Sequence, residues 1–427
     1  MPRKTKMSRA ANGTGTIRKK TIVRNEKKYT YWEARVTVGF DLGSGNQIQH
    51  SYTGKTQKEV REKLQAAAVA LTEGEYSEPS RLTLSEWLDI WLQDYMADKK
   101  YLTCKDYRAQ VAVHIKPALG AVRLSDLAPH MIQHFYNDLL AKGKAVVKRD
   151  ENGKIERKGG KPLYESAPMS AKSVRNVHGV LTKALSTAVS IGYLRSNPAD
   201  KVTLPRIERK ELSPLDDSHV KVFLEVAEKD AFGIMLMVIL FTGLRESEAI
   251  GLTWDCVDFE AGVLKINKQL IKRKRDDGGP MLASTKNGKV RTIKPAPFVI
   301  KLLKRQYTEQ TMQRLQKGEK WEGWKTEEER RTALVFTTSA GHYISPTSIR
   351  YHFKKLAVDI GVPECRVHDL RHTFAVLSLQ NGDDIKTVQD ALGHATAAFT
   401  LDVYGHVSER MKDDSASRMQ AYIEKIE

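Results

Sequence analysis

The sequence predicts a multidomain, mainly α-helical protein. A small N-terminal α+β domain, a helical middle domain and a mixed α/β, mostly helical C-terminal domain are expected. The 427 residues are too many for one ordinary domain. Apolar residues alternate with period two near the N-terminus, whereas helical spacing takes over from residue 82. A charged linker precedes a further set of helical patterns, so we place the domains at 1–80, 81–205 and 206–427.

The amino-acid composition indicates a partner that carries negative charge. Lys and Arg total 70 against 52 Asp and Glu, which gives a formal net charge of +18, and 41% of the residues are hydrophobic. A basic protein with enough apolar residues for large cores usually binds nucleic acid or an anionic membrane surface. The longest uncharged apolar run, Ala231 to Leu244, is shorter than the roughly 20 residues that cross a bilayer. The composition therefore favours nucleic acid as the partner.

The N-terminal sequence and the cysteines both indicate the cytoplasm. The basic N-terminus is not followed by the apolar segment of a secretory signal. Cys104, Cys256 and Cys365 are scattered and odd in number, so they predict neither a disulfide framework nor a cysteine zinc site.

Basic residues crowd the start of the N-terminal domain. The first 28 residues contain ten Lys and Arg against one acid. Such a run is most often a solvated tail, and the alternative is an arm that binds a polyanion. Alternation from Trp32 to Phe40 and from Ile48 to Tyr52 predicts two strands, and the capping box Thr56 to Glu59 predicts a helix over them. These elements favour the arm, and we expect its DNA contacts to come from Arg18, Lys19, Lys20, Lys27, Lys28 and Arg35.

The middle domain has helical spacing of its apolar residues throughout. Ser85 and Ser170 are predicted to cap helices, and Pro129 is predicted to stand in the first turn of another. The segment 142–165 is charged and contains an Asn-Gly pair, so we expect an exposed hairpin or loop there.

The C-terminal domain begins with a helix that is apolar on every side. Ala231 to Leu244 is therefore predicted to lie buried in a core. The segments 263–272 and 280–294 predict a small sheet, in which Asn287-Gly288 would form a two-residue hairpin turn. Further helices are predicted at 297–316, 347–360, 368–380, 385–391 and 397–404.

The pentapeptide from His368 to His372 is the first candidate for chemistry. On a helix His368, Arg371 and His372 share one face. The ordinary interpretation is a polar helix start at the surface. Two histidines four residues apart can also bind zinc, but the metalloprotease motif has Glu where this chain has Asp369, and Arg371 would repel a divalent cation. Zinc is therefore the weaker alternative, and binding of a phosphate is favoured.

Arg245 strengthens the phosphate interpretation. It follows the apolar helix, where it either ends the helix or brings a charge to the edge of a core. Arginine stays protonated and can donate to two phosphate oxygens, so Arg245 and Arg371 could hold one phosphate together. Lys286 precedes the predicted turn. A lysine there is usually only solubilising, but it can also donate a proton to a leaving oxygen.

Six residues that could act on a phosphate follow one another in a fixed order along the chain. They are Arg245, Lys286, His368, Arg371, His394 and Tyr404. Together they resemble the signature of the tyrosine recombinase family of site-specific DNA recombinases. The match covers about 211–410, and Glu248 corresponds to a supporting acid of the family.

The rest of the chain also resembles this family. The segment 81–205 resembles the core-type DNA-binding domain, and 1–80 resembles the arm-binding domain of integrases from phages and conjugative transposons. The insert at 142–165 has no counterpart.

The resemblance implies a covalent mechanism that needs neither ATP nor a metal or other cofactor. Tyr404 would attack a DNA phosphodiester, form a 3′-phosphotyrosyl bond and release a 5′-hydroxyl. Arg245 and Arg371 would stabilise the charge on the pentacoordinate phosphate. Lys286 would be the general acid, and His368 would accept the proton of the tyrosine.

In the same family pattern His394 would donate to a non-bridging phosphate oxygen. The resemblance also implies the partners: double-stranded DNA with core and arm attachment sites, a homotetramer on that DNA, and a small excisionase. It places the protein in the bacterial cytoplasm, associated with the nucleoid, where it would integrate and excise a mobile element.

Two other DNA-binding functions compete with this interpretation. A type IB topoisomerase uses a similar set of residues, but the arm-like N-terminal domain and the unbroken middle domain argue against it. A DNA-binding regulator with a decayed active site is opposed by the six intact positions. A zinc hydrolase is more distant still.

Overall fold

The computed structural model describes residues 16–24, 27–40, 45–72, 82–151, 153–208, 214–273, 279–285, 288–393 and 408–426. The chain divides into two compact units, Met1–Arg209 and Lys210–Glu427. In the described ranges no helix combines the length and the apolar character that a membrane crossing requires.

The first unit begins with a three-stranded antiparallel sheet and one helix. Strands β1 (Thr16–Arg24), β2 (Lys27–Phe40) and β3 (Gln47–Gly54) lie in the order β1-β2-β3, and α1 (Gln57–Thr72) packs on the sheet. The Glu59 N–H donates to Thr56 Oγ1 at 3.2 Å, which confirms the predicted cap. The core consists of Ala34, Val36, Val60, Leu64 and Ala67.

The basic segment contains a strand that the sequence analysis did not predict. Strand β1 lies within the basic run, where Ile17 pairs with Ala34 and packs against the core. The sheet therefore has a third strand besides the two predicted from the alternating residues.

A second part of the first unit is helical. Its helices are α2 (Leu84–Asp94), α3 (Tyr101–Gln110), α4 (Lys116–Leu119), α5 (Pro129–Lys142) and α6 (Ala171–Ser190), with a π-helical segment at Val111–Ile115 and 3₁₀ turns at Leu124–Asp126 and Pro198–Lys201. Trp87 and Trp91 of α2 are buried, and their indole N–H groups donate to Ala184 O and Thr187 Oγ1 of α6, each at 3.1 Å. These bonds satisfy the polar edge of two large buried rings.

Two of the three predicted helix starts in this part are confirmed. Pro129 begins α5, and Ser170 caps α6 by accepting from the Ser173 N–H. The expected cap at Ser85 is wrong, because Thr83 caps α2. The Glu86 carboxylate, three residues later, accepts from the Thr83 N–H at 2.8 Å, which completes a capping box.

The charged insert forms a small β-ribbon between α5 and α6. Strand β4 (Lys144–Val147) pairs with β7 (Tyr164–Ala167), and β5 (Arg157–Lys158) pairs with β6 (Lys161–Pro162). This arrangement confirms the predicted exposed hairpin.

The second unit has a core built around one helix. Its first helices are α7 (Asp217–Ala227), α8 (Gly233–Thr242) and α9 (Glu246–Ile250). All residues of α8 except Phe241 are buried, so the prediction from its apolar composition is confirmed.

The strands of the second unit form two small antiparallel sheets. One has the order β12-β9-β8, and the other pairs β10 with β11. The bounds are β8 (Val257–Asp258), β9 (Val263–Ile266), β10 (Lys268–Ile271), β11 (Met281–Ser284) and β12 (Arg291–Ile293), with a 3₁₀ turn at Trp254–Cys256.

The predicted hairpin across Asn287-Gly288 is wrong. The Gly288 N–H does donate to Thr285 O at 2.9 Å, so the chain turns there. The flanking strands nevertheless pair with other partners, β11 with β10 and β12 with β9. A local turn signal cannot tell which strands a turn connects.

Four of the remaining helices agree with the predicted ranges to within about two residues. They are α10 (Pro297–Lys317), α12 (Pro346–Asp359), α13 (Val367–Gln380) and α14 (Ile385–Leu392). The predicted helix 397–404 lies outside the described residues. Two further helices, α11 (Glu327–Thr332) and α15 (Ser408–Ile426), and a 3₁₀ turn at Gly318–Lys320 had no predicted range.

Candidate active site

Arg245 stands where two helices of the second unit meet. Helix α8 ends at Gly243, whose φ of 65° is in the left-handed region, and Arg245 then begins α9. Its guanidinium donates from Nη1 to Glu248 Oε1 at 2.7 Å and from Nη2 to Gly393 O at 3.3 Å. About a quarter of the side chain stays exposed, at 23%, so a ligand can reach it.

Glu248 is a buried carboxylate shared by two arginines. Only 1% of its side chain is exposed, and Arg291 donates to it from Nη1 at 3.1 Å and from Nη2 at 2.7 Å. Burial alone would raise the pKa of Glu248, but the bonds from Arg291 and then from Arg245 outweigh it and lower the pKa to about 2. The carboxylate is therefore charged at neutral pH and fixes the orientation of Arg245.

Arg371 lies on α13 and is almost fully buried, at 2% exposure. Its Nη1 donates to Gly243 O at 2.5 Å and its Nη2 to Leu392 O at 2.6 Å. These carbonyls belong to the C-terminal ends of α8 and α14, where helix dipoles favour positive charge. Arg245 and Arg371 therefore donate to neighbouring carbonyls at the end of α14, Arg245 to Gly393 O and Arg371 to Leu392 O.

His368 lies in the first turn of α13, one turn before Arg371. More than a third of it is exposed, and its ring lies edge-on to His372 with the centroids 4.8 Å apart. Surrounding protein atoms and then the charge of Arg371 lower the pKa of His368. The imidazole is therefore neutral at physiological pH, which is the form that accepts a proton.

His372 stands one turn after His368 on the same helix. Burial and the charge of His368 lower the pKa of His372 to about 4. Among the described residues, no three His, Cys, Asp or Glu side chains are grouped so that they could hold a metal ion.

A basic cleft lies beside Arg245. It has a volume of about 340 Å³. Among its described lining residues one is acidic, Asp390, and it pairs with Lys386 at 2.8 Å. The lining residues are Arg245, Thr285, Lys289, Val290, Arg291, Thr292, Lys386, Gln389, Asp390 and Gly393. The excess of positive charge suits a phosphate group.

Three predicted site residues, Lys286, His394 and Tyr404, lie outside the described residues. Two of them directly follow residues of the cleft. Thr285 precedes Lys286, and Gly393, which accepts from Arg245, precedes His394. The chain therefore enters both segments at the cleft.

Arg291 was not recognised in the sequence. Its guanidinium binds Glu248 in a bidentate manner and also donates from Nε to Ala391 O at 2.9 Å. It stands five residues after Lys286, but a lone arginine on a short strand carries no signal that separates it from a surface cation.

The cations expected to bind DNA in the N-terminal sheet fall into two groups. Arg18, Lys20 and Arg35 surround Glu33 at 2.7, 3.1 and 3.4 Å. The Arg18 hydrogen bond is the largest of the interactions that hold the pKa of Glu33 at about 2. One carboxylate therefore offsets part of the charge on this face.

Lys19 and Lys28 form the second group. Both are exposed, and in the described part of the chain neither takes part in an ion pair. Lys27 is the first residue of β2.

Comparison with known proteins finds phage integrase models in both units of the chain. The phage integrase family model matches residues 215–411, and the model of the phage integrase N-terminal SAM-like domain matches 83–140. A XerC-like tyrosine recombinase from Caldanaerobacter subterraneus is 26% identical over 94% of this chain and 98% of its own length. The ICEBs1 integrase of Bacillus subtilis is 24% identical over 91% of this chain and 96% of its own length.

Solved structures show the same fold. The Tn1549 transposon integrase in complex with transposon right end DNA superposes with a TM-score of 0.62 at 19% identity, over 79% of this chain and all of that one. A lambda integrase tetramer bound to a Holliday junction gives 0.51 at 17% identity, over 88% of this chain and 96% of that one. Two family models match the chain, and its relatives align with it nearly from end to end. The chain therefore belongs to the phage integrase family of tyrosine recombinases.

Proposed function

We propose that the chain is the integrase of a mobile element, a site-specific recombinase that cuts and rejoins DNA through a 3′-phosphotyrosyl intermediate. The observation that carries this proposal is the pair Arg245 and Arg371, which donate to adjacent carbonyls at the end of α14, with Arg245 lining a basic cleft. Charges held in place before the reaction need no reorganisation when a pentacoordinate phosphate forms.

Each catalytic residue has a part in this proposal. Tyr404 attacks the phosphate, and Lys286 protonates the leaving 5′-oxygen. His368 accepts the proton of the tyrosine, which its lowered pKa supports. His394 donates to a non-bridging oxygen, while Glu248 holds Arg245 in its orientation. The sequence of events conserves the energy of the broken bond, so religation needs no ATP.

The domains divide the recognition of DNA between them. In our proposal 81–205 binds the core attachment site, 1–80 binds the arm site, and 206–427 carries out catalysis and ends in a tail. Four chains would assemble on two DNA sites at the nucleoid, and an excisionase would favour excision. The three cations around Glu33 and the exposed Lys19 and Lys28 support an arm that binds phosphates.

The test is trapping of the covalent intermediate. A nicked suicide duplex, built on the repeats that flank the coding sequence, is incubated with the chain in EDTA. We expect a covalent protein–DNA band from the unaltered chain and from the control Tyr422→Phe, which changes an exposed tyrosine on α15. Tyr404→Phe should bind the duplex normally and give no band, because only the nucleophilic oxygen is lost.

An adduct that persists in Tyr404→Phe would assign the nucleophile elsewhere. A plasmid with two such sites then separates the alternatives. A recombinase yields deletion or inversion products, whereas a topoisomerase yields only relaxed circles, and a regulator yields neither.

A further inference from the structure

The β-ribbon of residues 144–167 is larger than its position in the chain requires. Helices α5 and α6 already meet at its base, where the Met169 N–H donates to Leu139 O at 3.2 Å and Lys144 pairs with Ala167. A connection of two to eight residues would join two such helices. The SAM-like family model also ends at residue 140, before the ribbon.

The ribbon has no hydrophobic core of its own. None of its described residues is buried. An isolated ribbon of this size is marginally stable in water, so ordering it without a partner gains little. Tyr164, which is 62% exposed, is the only large hydrophobic side chain on its described surface that is open to solvent. An interface with a protein partner usually has an apolar centre, and the ribbon exposes too little apolar surface to form one.

Its charge fits a polyanion instead. The segment contains seven Lys and Arg against four Asp and Glu. Lys148 is paired with Glu156 at 2.8 Å, and the guanidinium groups of Arg149 and Arg157 donate to backbone carbonyls. Four exposed lysines remain whose ammonium groups contact no acid in the described part of the ribbon. They are Lys144, Lys154, Lys158 and Lys161.

Two of these lysines face each other at a narrow tip. Lys158 pairs with Lys161 across the Gly159-Gly160 turn, in which both glycines have positive φ, 58° and 78°. Like charges directly opposite each other destabilise a strand pair. An anion bound between the two ammonium groups would relieve that repulsion. A Cβ atom at either glycine would meet nothing within 4 Å, so the tip is open for approach.

We propose that this ribbon is a DNA-binding wing, which contacts phosphates at the flank of the duplex bound by the helical part of the first unit. This inference rests on the proposed function. Strands rise about 3.3 Å per residue, so the run from Ala167 to Lys161 carries the tip roughly 20 Å from the helices. The major groove admits a two-stranded ribbon, and the opposed lysines supply the phosphate contacts.

The salt dependence of DNA binding tests the wing. The test variant carries Lys144→Gln, Lys154→Gln, Lys158→Gln and Lys161→Gln. The control removes the same charge from exposed lysines of the second unit, with Lys301→Gln, Lys304→Gln, Lys317→Gln and Lys320→Gln. The probe is a fluorescent 40-base-pair duplex of arbitrary sequence, titrated from low to moderate salt, because phosphate contacts dominate binding of such DNA.

Each lost phosphate contact lowers the slope of log affinity against log salt by about 0.9. We expect a loss of about 2 to 4 in slope for the ribbon variant and of less than about 1 for the control. Equal slopes for the ribbon variant and the unaltered chain would overturn the proposal. So would a ribbon variant that keeps its slope but no longer assembles into tetramers, because the ribbon would then contact protein.

A second variant removes the ribbon itself. Residues 145–166 are replaced by Asn-Gly, so that the pair Lys144 and Ala167 is closed by a two-residue turn. We expect the same loss of slope and a hydroxyl-radical footprint on the flanking-repeat duplex that is shorter at one edge. A footprint of unchanged length contradicts the wing. Failure of the proposed function is a separate result, since the unaltered chain would then form no covalent adduct at all.

Discussion

At the scale of single residues, the Glu248 carboxylate holds two arginines in place. Its side chain is 1% exposed and forms ion pairs with Arg245 and Arg291. Removing one of the two arginines leaves the buried carboxylate with fewer bonds and no water to replace them, and that is costly even where the intact group adds little net stability.

We therefore predict that Arg291→Met destabilises the second unit by about 1 to 3 kcal/mol, because Glu248 loses both bonds from Arg291 and keeps only those from Arg245. The double variant Arg291→Met with Glu248→Met should be less destabilised than Arg291→Met alone, because the buried carboxylate is gone and Arg245 is 23% exposed to water. Urea unfolding of the full chain measures both. A double variant less stable than Arg291→Met would show that the pair itself, rather than the orphaned charge, stabilises the fold.

The pH dependence of acid unfolding reports the contribution of the Glu248 carboxylate to stability. The pKa of Glu248 falls from 4.5 to about 2 on folding, so its contribution is fully present above about pH 4.5 and is lost as the pH falls towards 2. In Glu248→Gln this pH dependence should disappear from that window, as followed by circular dichroism. An acid limb identical to that of the unaltered chain would contradict the assignment.

At the scale of elements, the ends of α8 and α14 place both arginines. Gly243 closes α8 with φ of 65°, and a Cβ atom there would meet Phe374 and Leu392 at 2.5 and 2.7 Å. Its carbonyl accepts from Arg371, so any shift of this turn moves the guanidinium of Arg371.

We predict that Gly243→Ala costs at least about 1 to 2 kcal/mol from the left-handed backbone alone. It should also slow adduct formation more than tenfold while DNA affinity stays within about threefold, because a misplaced charge acts mainly on the transition state. Gly262→Ala is the matched control, since Gly262 has φ of 66° but no atom within 4 Å of a Cβ. Equal rates for the two variants would show that the contact with Phe374 and Leu392 does not matter.

Local signals in the sequence were sufficient for most elements. The unbroken apolar run located α8, because a helix that lacks a polar side can only be buried. The Asn-Gly signal failed at residue 287, since a turn does not specify the pairing of its flanking strands. Arg291 was missed because its partner Glu248 lies 43 residues earlier, and only the folded chain brings them together.

At the scale of the whole molecule, the parts of the chain have separate cores. The sheet and α1 enclose one cluster of apolar residues, and α2 to α6 enclose another. A part with its own core can be removed while the remainder still folds.

We predict that deletion of residues 1–80 leaves covalent adduct formation at the core site unchanged and abolishes high-affinity binding at the distant arm site. The steep salt dependence of arm-site binding should be lost with it, since that term comes from phosphate contacts. Mobility-shift titrations on the separate sites measure this. Retained arm-site affinity in the deleted chain would place that recognition in another part of the protein.

The anchoring of Arg371 to backbone carbonyls has a consequence for retargeting the enzyme. A main-chain oxygen is present whatever side chain its residue carries, so the two bonds that Gly243 O and Leu392 O accept from Arg371 require no particular side chain at the exposed positions of α14. Exposed positions of α14 can therefore be randomised in a library selected for new DNA sequences without dismantling the charge pair. Insertions or deletions that move the ends of α8 or α14 would be excluded from such a library, because they displace the oxygens themselves.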